Sequence, residues 1–217
     1  MTTSFTSIIR KGTQFEFEQG RYLLIVALSC PFACRSLIAR QLKNLNEAIP
    51  IEIVSPIKDN GWKFDNEAKI ALTTKDRYGR QMLKEYYYET DPDYKGAISV
   101  PILYDTKSKK IVNNESADLV KIFNEIGTGP DLRPDASKEK IDQANTITGS
   151  LGIFVFKAGM SNTKEEYDRY VEQVHDGLSK LESILQSSTY LAGNLFQKLM
   201  FDSFLGFIRK MKLPSPD

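Results

Sequence analysis

Cysteine is scarce, with two in 217 residues. That is too few for a disulfide framework, so a reducing compartment is expected and the two thiols invite a chemical reading. Histidine and tryptophan each occur once, and without a His/Cys cluster no metal site can be assembled. Neither sign of charge dominates: 29 Lys+Arg face 28 Asp+Glu, a net charge of +1. This balance excludes the basic excess or stripe of a dedicated nucleic-acid binder. No run approaches the ~18 apolar residues of a membrane span. The basic flank, apolar core and cleavage site of a secretory signal are missing. The first 15 residues do hold Ser, Thr, Arg10 and Lys11 without an acid, a weak transit-peptide composition with no clear amphipathic pattern. No Gly-rich phosphate loop, Ser-His-Asp constellation or internal repeat is found. What is present is an ordinary globular composition, 41% hydrophobic and 26% charged. Its length suits one large domain or two small ones with a sizeable core.

Residues 21–28, Arg-Tyr-Leu-Leu-Ile-Val-Ala-Leu, read as a buried strand. Ser29-Cys30-Pro31 breaks it, and a helix follows with Ala33, Leu37, Ile38, Leu42 and Leu45 on one face. Ile51, Ile53 and Val54 form a second strand stopped by Pro56. Strand-helix-strand implies a parallel pair with a right-handed crossover. After a polar stretch around Gly61-Trp62, a short helix carries Met82, Leu83 and Tyr86. Val100 to Tyr104 make a third strand, and a polar connection leads to a fourth at Ile111-Val112. Asn113 to Ser116 open a helix with Leu119, Val120, Ile122 and Phe123 inward. This order is that of an α/β thioredoxin-like domain. Residues 127–137, with two Gly and two Pro, form a linker. All that follows reads helical, most clearly 163–185, where Tyr167, Tyr170, Val171, Val174, Leu178, Leu181 and Leu185 make a stripe. The boundary falls near residue 130.

Cys30 lies between the first strand and its helix, with Pro31 at a position where a missing N–H costs nothing. A thiol at a helix N-terminus is stabilised as thiolate, its pKa falling from near 8.5 to roughly 3.5–7.5. The alternative is an inert core cysteine. Cys34 stands one turn on, where Cβ atoms are ~5–6 Å apart against the ~3.8 Å of a disulfide. It suits helix packing, and a resolving role requires the helix start to unwind. Val100-Pro101 begins a strand facing the thiol, and a cis bond there would turn the Val100 backbone toward a peptide-like ligand. Glu115-Ser116 at a helix start offer a carboxylate for an ammonium, and a hydroxyl with backbone N–H groups for a carboxylate. Simple capping by Asn114 or Ser116 is the plainer reading. Together these describe a site for a small zwitterionic peptide beside a thiolate. Trp62 either covers a ligand or packs. His175 reads as a solvated or capping residue, and Tyr86-Tyr87-Tyr88 as core and surface rings.

The linked set of motifs resembles the glutathionyl-hydroquinone reductases, the xi class of glutathione transferases, cousins of the omega class. It comprises Phe15-Glu-Phe-Glu-Gln-Gly20-Arg21-Tyr22, Cys30-Pro31-Phe32-Ala33-Cys34-Arg35, Gly61-Trp62-Lys-Phe64, Val100-Pro101-Ile-Leu and Ile111-Val-Asn-Asn-Glu115-Ser116. Phe156-Lys-Ala-Gly159, Glu165-Glu-Tyr167 and Tyr190-Leu-Ala-Gly193 continue it, so the likeness covers residues 14–193. It implies a thioredoxin-like glutathione-binding domain over 14–128 and an all-α glutathione-transferase-type domain over 138–217, incomplete relative to the family. It also implies glutathione as co-substrate and no metal, and glutathionylated quinone or disulfide conjugates as substrates. No nucleic acid or membrane partner is implied; a cytoplasmic location and room for a homodimer are. Cys30 would attack the sulfur of a conjugate, and a second glutathione would release the enzyme. Trp62, the backbone of Ala97, Ile98, Ser99 and Val100, and Glu115 with Ser116 would hold glutathione.

Departures from the pattern favour a rival expectation, a non-catalytic glutathione-binding or interaction module. Cys34 stands where the family usually has His, Phe32 where Trp is commoner, and Ala97 where a basic residue is frequent. Phe156 replaces the tyrosine thought to give a proton to the hydroquinone. Beyond Gly193 the family's capping box is missing. There Phe196, Met200, Phe201, Phe204, Leu205 and Ile208 could form a substitute apolar helix, and a truncated gene model or splice form is an expectation to set beside it.

Overall fold

The computed structural model describes residues 4–57, 60–67 and 69–192. The chain divides into two compact units, Met1–Pro130 and Asp131–Asp217.

The first unit is built on strands β1 (Tyr22–Val26), β2 (Ile51–Ile53), β3 (Ile102–Asp105) and β4 (Lys110–Asn113), with helices α1 (Pro31–Leu42), α2 (Lys84–Thr90) and α3 (Ser116–Ile126). The sheet order is β2-β1-β3-β4. β1 runs parallel to β2, pairing Leu24 with Ile51, and antiparallel to β3, which pairs antiparallel with β4. All five residues of β1 are buried, which explains an unbroken apolar run where a half-exposed strand would alternate. Parallel pairing of β1 and β2, joined through α1, is the pairing that the strand-helix-strand order predicts. The third strand begins later than expected, at Ile102, because Val100 and Pro101 precede it as an unpaired segment with a cis bond between them. At the far edge, residues 5–7 add to β4: Ser7 N–H donates to Val112 O at 3.0 Å, and Asn114 N–H to Phe5 O at 3.0 Å. This short addition covers a sheet edge that would otherwise offer unpaired backbone groups.

Helix α1 matches its expected face only in part: Ala33 and, just past the helix end, Leu45 are buried as expected. Its buried residues are Ala33, Ser36, Ala39 and Arg40, while Leu37, Ile38 and Leu42 are only half-buried. Small side chains let a helix approach its neighbours closely, and the polar ones at its end are satisfied. The Arg40 guanidinium donates to Ile49 O and Asn46, and the buried Lys43 ammonium donates to Gly129 O (3.3 Å) and Pro130 O (3.0 Å). Gly129, at φ +98°, leaves no room for a Cβ, which would lie 2.5 Å from Leu42 O.

The second unit contains α4 (Lys138–Gly159) and α5 (Lys164–Leu185), with a 3-10 turn at Asp135–Ser137 within the expected linker. Its core is Ala144, Leu151, Val174, Leu181 and Leu191. Gly177 admits Leu151, whose Cδ1 would lie 3.0 Å from a Cβ there. Thr163 caps α5 by accepting the Glu166 N–H at 3.2 Å. The stripe of α5 is inward from Val174 onward, but Tyr167 at its start is exposed. The expected apolar helix through Phe196 to Ile208, and Gly193 before it, lie outside the described residues. Among the described residues, no helix is long and apolar enough to cross a membrane.

Candidate functional site

The strand-to-helix junction places Cys30 as the N-cap residue of α1, in extended backbone, with Pro31 in the first helical turn. No side chain caps this end. The Cys30 thiol is half-buried and donates to Val100 O, 3.6 Å from its sulfur. The helix start and the segment before β3 are therefore brought together, as the sequence predicts.

The electrostatics differ from the expectation of a lowered pKa. Burial pushes the Cys30 thiol up. The amides of Ala33 and Phe32 and the Arg35 guanidinium pull it down, while Cys34 adds a small upward push. The helix-terminus effect is present and burial outweighs it. The Val100 carbonyl works in the same sense, since only a protonated sulfur can donate to it. Alkylation of Cys30 by iodoacetamide in the ligand-free protein is thus expected to titrate above the ~8.5 of an ordinary thiol. A midpoint at or below neutrality would show the amides and Arg35 prevailing. The sign for folding follows: a raised thiol pKa gives stability that is full below the ordinary thiol range and lost as pH rises through the folded value.

The segment Ala97–Val100 is held by two tyrosines. Tyr94 O–H donates to Ala97 O at 3.2 Å. Tyr87 O–H donates to Ser99 O at 2.8 Å, and its oxygen accepts the Ser99 N–H at 3.2 Å. The same oxygen accepts from the Asn114 side-chain amide at 3.4 Å, so one buried hydroxyl links the Ser99 backbone to the residues opening α3. A run of three tyrosines predicts only ring packing for Tyr87, and its fixing role is invisible there.

Glu115 is the N-cap of α3 and Ser116 its first residue. Capping by Asn114 or Ser116 is not what forms: α3 has no side-chain cap, and Asn113 Oδ1 instead accepts the Glu115 N–H at 2.7 Å. Glu115 is exposed and accepts from the Ser4 hydroxyl at 2.9 Å. Ser116 is buried and bonded to Arg35 of α1, a partner that the sequence did not reveal. Cys30, Val100 and the start of α3 are thereby linked through α1.

The remaining expected residues lie elsewhere in the chain. Trp62 is half-buried in the irregular segment between β2 and α2, where its carbonyl accepts the Leu83 N–H at 2.9 Å. Cys34 is half-buried, its amide donating to Cys30 O at 3.0 Å, and both cysteines are free thiols. Phe156 is exposed on α4 and His175 on α5. Among the described residues, no group of three or more His, Cys, Asp or Glu could hold a metal ion.

No protein-family model matches the chain. It is 39% identical over 187 residues to glutathionyl-hydroquinone reductase YqjG of Escherichia coli, a match that covers 83% of this chain and 57% of that protein. The glutathione-bound structure of YqjG superimposes with a TM-score of 0.85 at 34% identity, covering 93% of this chain and 71% of that one. The glutathione S-transferase Xi of Phanerochaete chrysosporium does so at 0.87 with 32% identity, covering 96% and 74%. A thiol at the junction between β1 and α1, a Val-Pro segment against it and a Glu-Ser helix start thus sit within a backbone shared over most of both chains, and the chain belongs to the xi class of glutathione transferases.

Proposed function

We propose that the protein is a glutathione-dependent thiol transferase that removes glutathione from conjugates of the hydroquinone type through a mixed disulfide on Cys30. The observation that carries this reading is the contact of the Cys30 thiol with Val100 O at 3.6 Å, beside a helix start without a side-chain cap. Glutathione would lie along Ala97, Ile98, Ser99 and Val100, its peptide N–H taking the Val100 carbonyl. That takes away the acceptor which favours the protonated thiol, and leaves the amides of Phe32 and Ala33 and the charge of Arg35 to favour thiolate. Glu115 would take the γ-glutamyl ammonium, Ser116 the adjoining carboxylate, and Trp62 would cover the ligand.

Cys30 thiolate then attacks the sulfur of the conjugate. The electron pair of the breaking carbon–sulfur bond leaves with the ring carbon, which takes up a proton, and a Cys30–glutathione disulfide remains. A second glutathione thiolate attacks the glutathionyl sulfur, which releases Cys30 and forms glutathione disulfide. The ring carbon is reduced by two electrons, and the two glutathione sulfurs, one from the conjugate's thioether and one from the free thiol, are together oxidised by two to the disulfide.

Two free cysteines fit a cytoplasmic, reducing location. A homodimer and a part in clearing reactive quinones belong to the same reading. Incubation with oxidised glutathione followed by peptide mass spectrometry is expected to map one glutathione adduct to Cys30. An adduct on Cys34 alone, or none, rejects the mechanism. Phe156, which has no hydroxyl to give a proton, favours a second reading, a module that binds glutathione without turnover. That reading predicts calorimetric binding and no released hydroquinone.

A further inference from the structure

Arg35, in the second turn of α1, takes no part in the glutathione contacts assigned above. Its guanidinium is half-buried, and both Nε and Nη2 donate to the single hydroxyl oxygen of Ser116, at 2.9 and 2.5 Å. Burial lowers its pKa, while Glu115, Cys30 and Asp118 favour its charged form, and arginine remains a cation in proteins.

A serine hydroxyl has one proton to give and two lone pairs to accept with. In general it serves an ammonium or a carboxylate equally well. Here the guanidinium fork occupies both lone pairs, so the Ser116 hydroxyl can only donate. Among the described residues, no protein acceptor takes its proton. The first backbone N–H groups of α3, which carries no side-chain cap, are donors at the same helix end. Glu115, one residue before, supplies the only carboxylate of the pair. A zwitterion therefore meets an obligate donor and an acceptor side by side.

Resting on the reading of this helix start as the seat of the γ-glutamyl group, we propose that Arg35 is a positioning residue. By fixing the Ser116 hydroxyl as a donor, it makes the site select the α-carboxylate of the γ-glutamyl residue and sets the zwitterion in one orientation, ammonium on Glu115 and carboxylate on Ser116. Lysine cannot replace it, because a compact ammonium on a flexible stem lacks the rigid planar fork that sets two N–H groups on one oxygen.

The test compares, by calorimetry on the full chain, glutathione with its analogue amidated at the γ-glutamyl α-carboxylate. The unaltered protein should bind glutathione at least ~10-fold more tightly than the amide, the scale of a lost charge-assisted hydrogen bond. Arg35→Lys and Arg35→Gln should each reduce that ratio to within ~2–3-fold of unity, as should Ser116→Ala. The Arg35→Lys/Ser116→Ala double variant should match Ser116→Ala alone, since Arg35 acts through Ser116. A packing role would weaken both ligands equally and leave the ratio intact, and that result overturns the proposal. Equal affinity of the unaltered protein for the two ligands does so too, with no variant needed. In either case a Cys30 adduct would still stand for the underlying reading, whereas absence of both glutathione binding and adduct rejects the two together.

Discussion

Cys30→Ser is expected to lower turnover of a glutathionylated hydroquinone by roughly 10³-fold or more, because the residue that forms the covalent intermediate has no substitute. Cys34→Ser should stay within about 5-fold, since a single-thiol route uses a second glutathione to resolve the intermediate. The contrast is instructive because the two sulfurs share a helix. Cys30 is the N-cap residue, in extended backbone before the first turn, with the amides of Phe32 and Ala33 directed at it. Cys34 lies one turn inside, where its own amide is bonded to Cys30 O and the helix has no free N–H groups to offer. Chromatographic release of free hydroquinone measures both rates. Equal losses in the two variants would point to a dithiol route, and unchanged turnover in Cys30→Ser would end the nucleophile assignment.

Asp105→Ala should cost about 3–5 kcal/mol of stability, the usual loss when one partner of a buried pair is removed. Asp105 has a fully buried side chain at the end of β3, and the Arg21 side chain beside it is 10% exposed. Arg21 Nε and Nη2 donate to Asp105 Oδ1 (2.8 Å) and Oδ2 (2.7 Å). Those same oxygens accept from the Lys107 N–H and the Ser108 hydroxyl, which shapes the turn into β4. Arg21 also donates to Gln14 O at 3.0 Å, so the pair ties the N-terminal segment to the sheet. Alanine would leave the guanidinium without its anion and the turn without its acceptor. Burial alone would raise the Asp105 pKa, but the bonds from Arg21, Ser108 and Lys107 outweigh it and hold the carboxyl below its usual range. Its contribution is therefore present above the ordinary carboxylate range and lost as pH falls through the lowered folded value. Urea unfolding at neutral and acid pH should show the gap between the unaltered protein and Asp105→Ala narrowing in acid. A gap under about 1 kcal/mol at neutral pH would reduce the pair to the rank of a surface contact.

What could be read from the chain was whatever local periodicity and turn chemistry encode. The apolar run of β1, the Cys-Pro break, the crossover to β2 and the helix after Asn113 all declare themselves within a few residues. The inner face of α1 does so only in part. Of the stripe Ala33, Leu37, Ile38, Leu42 and Leu45, Ala33 and Leu45 are buried, but Ser36, Ala39 and Arg40 take the remaining inner positions, because small side chains decide how near a helix can pack and such choices leave no hydropathy signal. The site divides the same way. Cys30, Val100, Glu115 and Ser116 are marked by their neighbours in sequence, whereas Arg35 and Tyr87 matter through oxygens about 80 and 12 positions away. Nothing in the residues flanking either partner marks such a bond. The direction of the Cys30 pKa was likewise out of reach, since it depends on how much protein surrounds the sulfur.

The single indole gives the molecule a built-in optical probe. Trp62 is the only tryptophan of the chain, half-buried in the segment whose carbonyl bond to the Leu83 amide ties it to the start of α2. Emission excited at the red edge of protein absorption therefore comes from one known address, and any quenching or colour change on adding a ligand reports on the surroundings of that one side chain.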